Sequence, residues 1–330
     1  MLDPTVLIVL VVVLALIFDF TNGWNDSANA IATVIGTRAL TPFKALMLAA
    51  VLNLAGAFFS TAVAKTIGED IVDPNHVTQM VIIATLVAAI IWNTVMTLMG
   101  LPISASHGLI GSLIGAAVAY KGIAILKLGG ILEILIAMLV SPLLGAFLAW
   151  VLMKLIRDLF RNTAPSKVKR IFRPLQILSA SFMAFSHGTS DAQKAMGIIT
   201  LALFAGGFTD NMEVPFWVIV SAGLAMALGT AIGGWRVIKT LGMRLNHLST
   251  PQGFAAETAA AALLATIAKV GIPVSTTHTI TGSIIGVGAA ERVKSVRWGV
   301  AGKIVYAWVF TLPGTAVMSW LIYQVLRVLE

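Results

Sequence analysis

Apolar runs of bilayer length recur along the chain, and short polar stretches between them carry most of its charge. A membrane helix needs about 20 apolar residues, and runs of that order fall near 42–63, 79–99, 130–153, 215–233, 253–270 and 299–326. Shorter apolar stretches bearing Gly, Ser and Thr lie near 5–20, 26–36, 103–120, 174–187, 192–206 and 275–290. Segments too short to span are read as broken or re-entrant helices. The pattern predicts an all-α polytopic membrane protein with about 10–12 membrane segments. The first run, Val6 to Phe20, matches a signal-peptide core in length. No basic region precedes it and no small-residue cleavage pattern follows, so it is read as a retained first helix.

Composition agrees. Of 330 residues 58% are hydrophobic and 11% charged, with mean hydropathy +0.95, whereas a soluble domain carries about 25% charged residues. The net charge of +8 would suit nucleic acid, but the basic residues sit in short loops between apolar runs, where they act as an orientation signal. There is no Cys, which excludes disulfides and thiolate metal sites.

One long polar segment, 154–173, divides the chain. It holds Lys154, Arg157, Arg161, Lys167, Lys169, Arg170 and Arg173 against the single acid Asp158, so the positive-inside rule makes it a cytoplasmic linker. The flanking halves, 1–153 and 174–330, repeat each other. Phe20-Thr21-Asn22-Gly23-Trp24-Asn25-Asp26-Ser27 aligns with Phe185-Ser186-His187-Gly188-Thr189-Ser190-Asp191-Ala192. Gly100-Leu101-Pro102-Ile103-Ser104-Ala105-Ser106-His107 aligns with Gly271-Ile272-Pro273-Val274-Ser275-Thr276-Thr277-His278. The offsets are similar, 165 (20 to 185) and 171 (100 to 271).

Loop charge swaps between the halves. Arg38 and Lys44 follow the first motif, and Asp210 and Glu213 follow the second. The next loop carries Lys65, Glu69, Asp70 and Asp73 in the first half, and Arg236, Lys239 and Arg244 in the second. Equivalent loops are therefore expected on opposite sides, which makes the repeats inverted and puts both termini outside. Inverted repeats with broken helices at matching positions point to a transporter whose site lies at the repeat interface.

Asp26 and Asp191 occupy equivalent places in polar runs. A carboxylate within a membrane segment costs roughly 2.5–3.5 kcal/mol on insertion scales and faces a cavity or a partner. Asp26 and Asp191 could each cap a helix start; their duplication favours a cation site, for which carboxylate and Asn oxygens suit Na⁺ or H⁺ coupling. Pro102 and Pro273 each precede clustered hydroxyls at the mouth of an apolar stretch, where a helix N-terminus favours an anion. Ser104, Ser106, Ser275, Thr276 and Thr277 are the expected anion donors, with Gln193 beside them. Gly111, Gly115, Gly282 and Gly286 fit close helix packing. His107, His278 and Glu257 are candidates for coupling or for structural hydrogen bonding, and Lys194 for an anion contact or for snorkelling. No acidic or Cys partners stand at transition-metal ligand spacing. No Walker-type loop or nucleophile–base constellation is present, so the chain is read as a non-enzyme.

These motifs resemble the inorganic phosphate transporter (PiT) family. Its paired signature is similar to Gly23-Trp24-Asn25-Asp26-Ser27-Ala28-Asn29-Ala30 and to His187-Gly188-Thr189-Ser190-Asp191-Ala192-Gln193-Lys194, and its Pro-Ile-Ser-x-x-His element to 102–107 and 273–278. The resemblance spans both halves. It implies phosphate import by symport with Na⁺ or H⁺, with phosphate and cations near the ends of broken helices. Ser190 stands where the second signature commonly has Asn, and the short central loop lacks the large insert of the animal members. Some relatives carry sulfate, so a sulfate or other oxyanion carrier, or an H⁺-coupled phosphate symporter, stays open beside a Na⁺-coupled phosphate symporter; an anion channel is the rival from another class. The expected cation ligands are Asn22, Asn25, Asp26, Ser190 and Asp191, with Na⁺ or H⁺ as coupling ion and no other cofactor. The expected location is the plasma (cell inner) membrane, among lipids, as a monomer or a homodimer.

Overall fold

The computed structural model describes residues 3–329, and among these it contains thirteen α-helices and no sheet beyond an isolated bridge between Val72 and Leu126. The first half holds α1 (Pro4–Gly36), α2 (Pro42–Ala57), α3 (Ala62–Glu69), α4 (Gln79–Met99), α5 (Ala105–Lys121) and α6 (Leu128–Leu159). The second holds α7 (Pro165–Asp191), α8 (Gln193–Ala205), α9 (Phe216–Ile232), α10 (Trp235–Lys239, continued by a π turn at Thr240–Arg244), α11 (Thr250–Val270), α12 (Thr276–Glu291) and α13 (Trp298–Leu326).

Five helices (α1, α4, α6, α11 and α13) are long and apolar enough to cross a membrane alone, and two bent pairs bring the total to at most seven. The pairs are α2 with α3, bent by 70°, and α9 with the segment Trp235–Arg244, bent by 60°. This is fewer than the ten to twelve segments expected from hydropathy. The difference lies in α1, which joins the stretches 5–20 and 26–36, and in α7, which starts in the basic segment and is not among the candidate spans. It lies also in α5, α8 and α12, which have 17, 13 and 16 residues, too few for a span of about 30 Å.

Two sequence boundaries shift. The first motif does not break a helix, because α1 runs unbroken through Asn22-Gly23-Trp24-Asn25-Asp26. No proline interrupts it, and in lipid an unpaired backbone amide is costly, so the ladder continues. Gly23 supplies close approach instead: a β-carbon there would lie 2.2 Å from the Met226 carbonyl oxygen of α9. The basic segment 154–173 is mostly helical, since α6 runs to Leu159 and α7 starts at Pro165.

The breaks fall at the second motif. Gly100 and Gly271 end α4 and α11 with φ of 72° and 82°, the left-handed conformation that glycine adopts without a Cβ penalty, and a proline two residues on prevents continuation. The chain doubles back and Ser104 and Ser275 cap α5 and α12, each accepting the backbone N–H three residues on at 3.1 Å. Two helical hairpins result, α4–α5 and α11–α12.

Packing between the halves is reciprocal. α5 lies on α13 and α12 on α6, while α1 lies on α9 and α7 on α2. Small residues permit the first exchange: a β-carbon at Gly115 would lie 2.0 Å from the Ala316 carbonyl oxygen, and one at Gly286 2.1 Å from that of Ala146. The apolar interior forms two clusters, one containing Ile8–Phe18 of α1, the other Ala28–Ile35. Between them α1 presents a buried polar band from Asp19 to Ser27.

The ends of the bundle differ in charge. One gathers Arg157, Arg161 and Lys169 with Thr37 and Ser249 around a cavity of about 590 Å³, and Arg244 and Lys303 with Gly100 around another of about 890 Å³. Arg173 reaches the Ala39 carbonyl there. The opposite end groups Thr66, Asp70, Lys127 and Glu133 with the α11–α12 tip at 270–273.

Candidate functional site

The aligned aspartates meet in the buried band. Asp26 and Asp191 are 1% and 0% exposed, and the His187 ring stands between them, its Nε2 3.2 Å from Asp191 Oδ2 and 3.8 Å from Asp26 Oδ2. The other face of the ring is fixed by Asn53, whose Oδ1 lies 3.1 Å from His187 Nδ1 and whose Nδ2 donates to Thr230 at 2.8 Å. Asp26 lies in mid-helix and Asp191 at the last residue of α7, so neither is an N-cap.

The α12 N-terminus enters this centre. Thr277 donates its hydroxyl to Asp26 Oδ1 at 3.0 Å, and Thr276 donates to Asp191 Oδ2 at 3.0 Å. Asn29 Nδ2 donates to the same two hydroxyl oxygens at 3.3 and 3.0 Å. One helix end thus touches both carboxylates. Lys194, 1% exposed, places its ammonium 2.9 Å from Asp191 Oδ2; it is buried and does not snorkel.

Around these bonds several buried oxygens have no hydrogen-bond partner among the described residues: Asp26 Oδ2, Asp191 Oδ1, both Asp19 oxygens, and the amide oxygens of Asn22, Asn25 and Asn29. Buried acceptors are normally satisfied, and a set of hard oxygens that includes carboxylates is what a hard cation takes. Asn22 and Asn25 stand in this set, Asn25 held by a 2.7 Å bond from its Nδ2 to Thr97. Ser190 is buried beside Asp191 but makes no side-chain hydrogen bond among the described residues.

Other expected residues lie elsewhere. Gln193 is bonded within the protein: its Oε1 accepts the Val63 and Ala64 N–H groups at 2.7 and 3.1 Å, and its Nε2 donates to the Thr189 carbonyl. It caps α3, whose own N-cap residue Thr61 makes no side-chain bond, and whose first amides need an acceptor. The Ser104 and Ser275 oxygens accept cap N–H groups, which leaves their O–H donors for another partner. Ser106 donates to the Val274 carbonyl at 3.2 Å, tying one hairpin tip to the other. His107 and His278 meet at those tips with ring centroids 4.6 Å apart, His278 stacking on Trp308 at 3.8 Å. Glu257 forms a separate buried cluster, accepting the hydroxyls of Thr33 and Ser179.

Asp19, Asn29, Thr33, Asn53 and His187 were not among the expected ligands. A signal for the first three was present: 19, 22, 26, 29 and 33 follow spacings of 3, 4, 3 and 4, one face of an uninterrupted helix. Reading a break at residues 20–25 hid that stripe.

The profile of the phosphate transporter family matches residues 22–319. The chain is 48% identical over 319 residues to a Rhizobium meliloti (strain 1021) protein named "Probable low-affinity inorganic phosphate transporter", covering 96% of both chains. It is 43% identical over 327 residues to a Bacillus subtilis (strain 168) protein of the same name, covering 98% of each. Its fold is shared with the solved structure of "The sodium-dependent phosphate transporter", at a TM-score of 0.89 and 24% identity over 98% of this chain and 100% of that one. With nearly its whole length matched, paired aspartates included, this chain belongs to the phosphate transporter family.

Proposed function

We propose that this protein imports inorganic phosphate by cation symport, with Na⁺ as the coupling ion. The observation that carries the reading is the pair of bonds from Thr276 and Thr277, on one helix N-terminus, to Asp191 and Asp26. A hydroxyl has one proton to donate. While it is given to a carboxylate it is not available to phosphate, and Asp26, which has no ammonium beside it, repels an anion. Cations on Asp26, Asn22, Asn25 and the neighbouring Asp19 and Asn29 oxygens neutralise this carboxylate as the Lys194 ammonium neutralises Asp191, and both hydroxyls are released. Those hydroxyls and the free amides at the start of α12 then face phosphate. Neither substrate binds well without the other, which is the coupling a symporter needs.

Supporting an inverted-repeat carrier, helix contacts are exchanged between the halves and charge is segregated by end. The basic end is assigned to the cytoplasm, which puts both termini outside in the plasma membrane. Phosphate uptake into proteoliposomes, with Na⁺ and pH gradients imposed separately, tests the reading. Uphill accumulation driven by inward Na⁺ is expected. Accumulation driven by the pH gradient alone makes the proton the coupling ion, and block by excess sulfate makes the substrate class broader.

A further inference from the structure

The two carboxylates are equivalent in the repeat but unequal in their surroundings. At the 165-residue offset, Asn22 answers to His187, Asp26 to Asp191 and Asn29 to Lys194. In the first half the amide of Asn29 donates to the two threonines, and Asp26 Oδ2 is left without a hydrogen bond. In the second half Asp191 Oδ2 receives the Lys194 ammonium at 2.9 Å, the Thr276 hydroxyl at 3.0 Å and His187 Nε2 at 3.2 Å. Among the described residues Lys194 Nζ makes no other hydrogen bond or ion pair, and at 1% exposure its charge is withdrawn from water. A buried lysine within a membrane bundle persists only with a counter-charge, and here the counter-charge is the carboxylate of Asp191. Its equivalent in the other half, Asp26, has the Thr277 hydroxyl at 3.0 Å and His187 Nε2 at 3.8 Å but no ammonium.

We propose that Lys194 is a tethered coupling cation. Its ammonium takes, at Asp191, the position that a mobile ion takes at Asp26, so the protein carries one fewer positive charge per phosphate than its paired aspartates would allow. The inference rests on reading the protein as a cation-coupled phosphate carrier. It also accounts for the placing of the unsatisfied oxygens around the centre: those of Asp19, Asn22, Asn25, Asp26 and Asn29 lie on α1 and only Asp191 Oδ1 among them lies in the second half, so the mobile ion belongs to the first half.

The test is Lys194→Asn, which installs the residue of the first repeat. In proteoliposomes, the membrane potential at which phosphate flux reverses gives the charge moved per phosphate. The expected result is a rise of one elementary charge over the wild type. In Asp191→Asn/Lys194→Asn, which removes carboxylate and ammonium together, the ratio is expected to return to the wild-type value. An active Lys194→Asn protein with the wild-type ratio overturns the proposal and makes Lys194 a structural ion pair. Should Lys194→Asn not transport, its melting temperature in detergent is followed against Na⁺ and against pH. A cation-dependent rise larger than that of wild type supports an added ion at Asp191, and no such difference overturns it. Wild-type protein that accumulates no phosphate under any cation gradient refutes the transport reading instead.

Discussion

Thr277 donates its hydroxyl to Asp26 at 3.0 Å across 251 positions of sequence, while its neighbour Thr276 donates to Asp191. If these hydroxyls turn from carboxylate to phosphate when cations bind, removing either one harms both partners. Thr277→Ala is expected to weaken apparent phosphate affinity by one to two orders of magnitude, corresponding to about 1–3 kcal/mol for one unmet polar group. Thr277→Ser, which keeps the hydroxyl, is expected to stay near wild type. Concentration dependence of phosphate uptake measures both, and equal affinity in the alanine and serine variants would remove the hydroxyl from the site.

The aspartates carry the next prediction. Because Asp26 is in mid-helix and Asp191 ends one, substitution by Asn costs no N-cap. Asp26→Asn is expected to abolish gradient-driven uptake while the purified protein stays folded and monodisperse. Asp191→Asn is expected to abolish uptake and also to lower stability, because it leaves the buried Lys194 ammonium without its counter-charge. The charge, and not the shape, is what changes. Normal cation dependence in Asp26→Asn would move the mobile site away from α1, with Glu257 the next carboxylate to test.

Gln193 separates a structural role from a binding one. Its carboxamide oxygen is filled by two α3 amides and one of its two N–H groups by the Thr189 carbonyl. Gln193→Ala is expected to lower stability by about 0.5–2 kcal/mol, the range for loss of a helix cap, seen as a lower melting temperature. Phosphate KM is expected to stay within about twofold, since the Gln193 amide is bonded to α3 and to Thr189. A large rise in KM at unchanged stability would return Gln193 to the anion site.

Much of this architecture was written in hydropathy and internal repetition. Pro102 and Pro273 mark the hairpin tips because each stands two residues after a glycine, and Gly100 and Gly271 end their helices in the left-handed conformation. Pro142, Pro174 and Pro313, by contrast, lie inside helices. The spacing of Gly282 and Gly286 marks a close helix contact. What stayed hidden depended on distant partners. Gln193 reads as a free donor until α3 brings its bare amides to it, and His187 reads as a variant of Asn22 until Asn53 orients its ring between two carboxylates. The polar run 19–27 reads as a loop because its residues disfavour helices in water. Lipid reverses that preference, since it offers the backbone no other partner.

Orientation is the remaining expectation, and reciprocal packing sharpens it. With α1–α9 matched by α7–α2 and α5–α13 by α12–α6, a rotation that exchanges the halves must also exchange the ends of the bundle if the repeats are inverted. Ser166, in the first turn of α7, and Asn75, in the acidic-end loop, are both exposed. Cysteine introduced at each is expected to be labelled by an impermeant thiol reagent from opposite sides, Ser166→Cys only from the cytoplasm and Asn75→Cys only from outside. The chain has no native Cys, so any signal comes from the introduced residue. Labelling on opposite sides but with the sides reversed would keep the repeats inverted and overturn only the positive-inside assignment. Labelling of both from one side would mean that the basic and acidic ends are not opposite faces of the membrane, and the alternating-access reading built on them would fall with it.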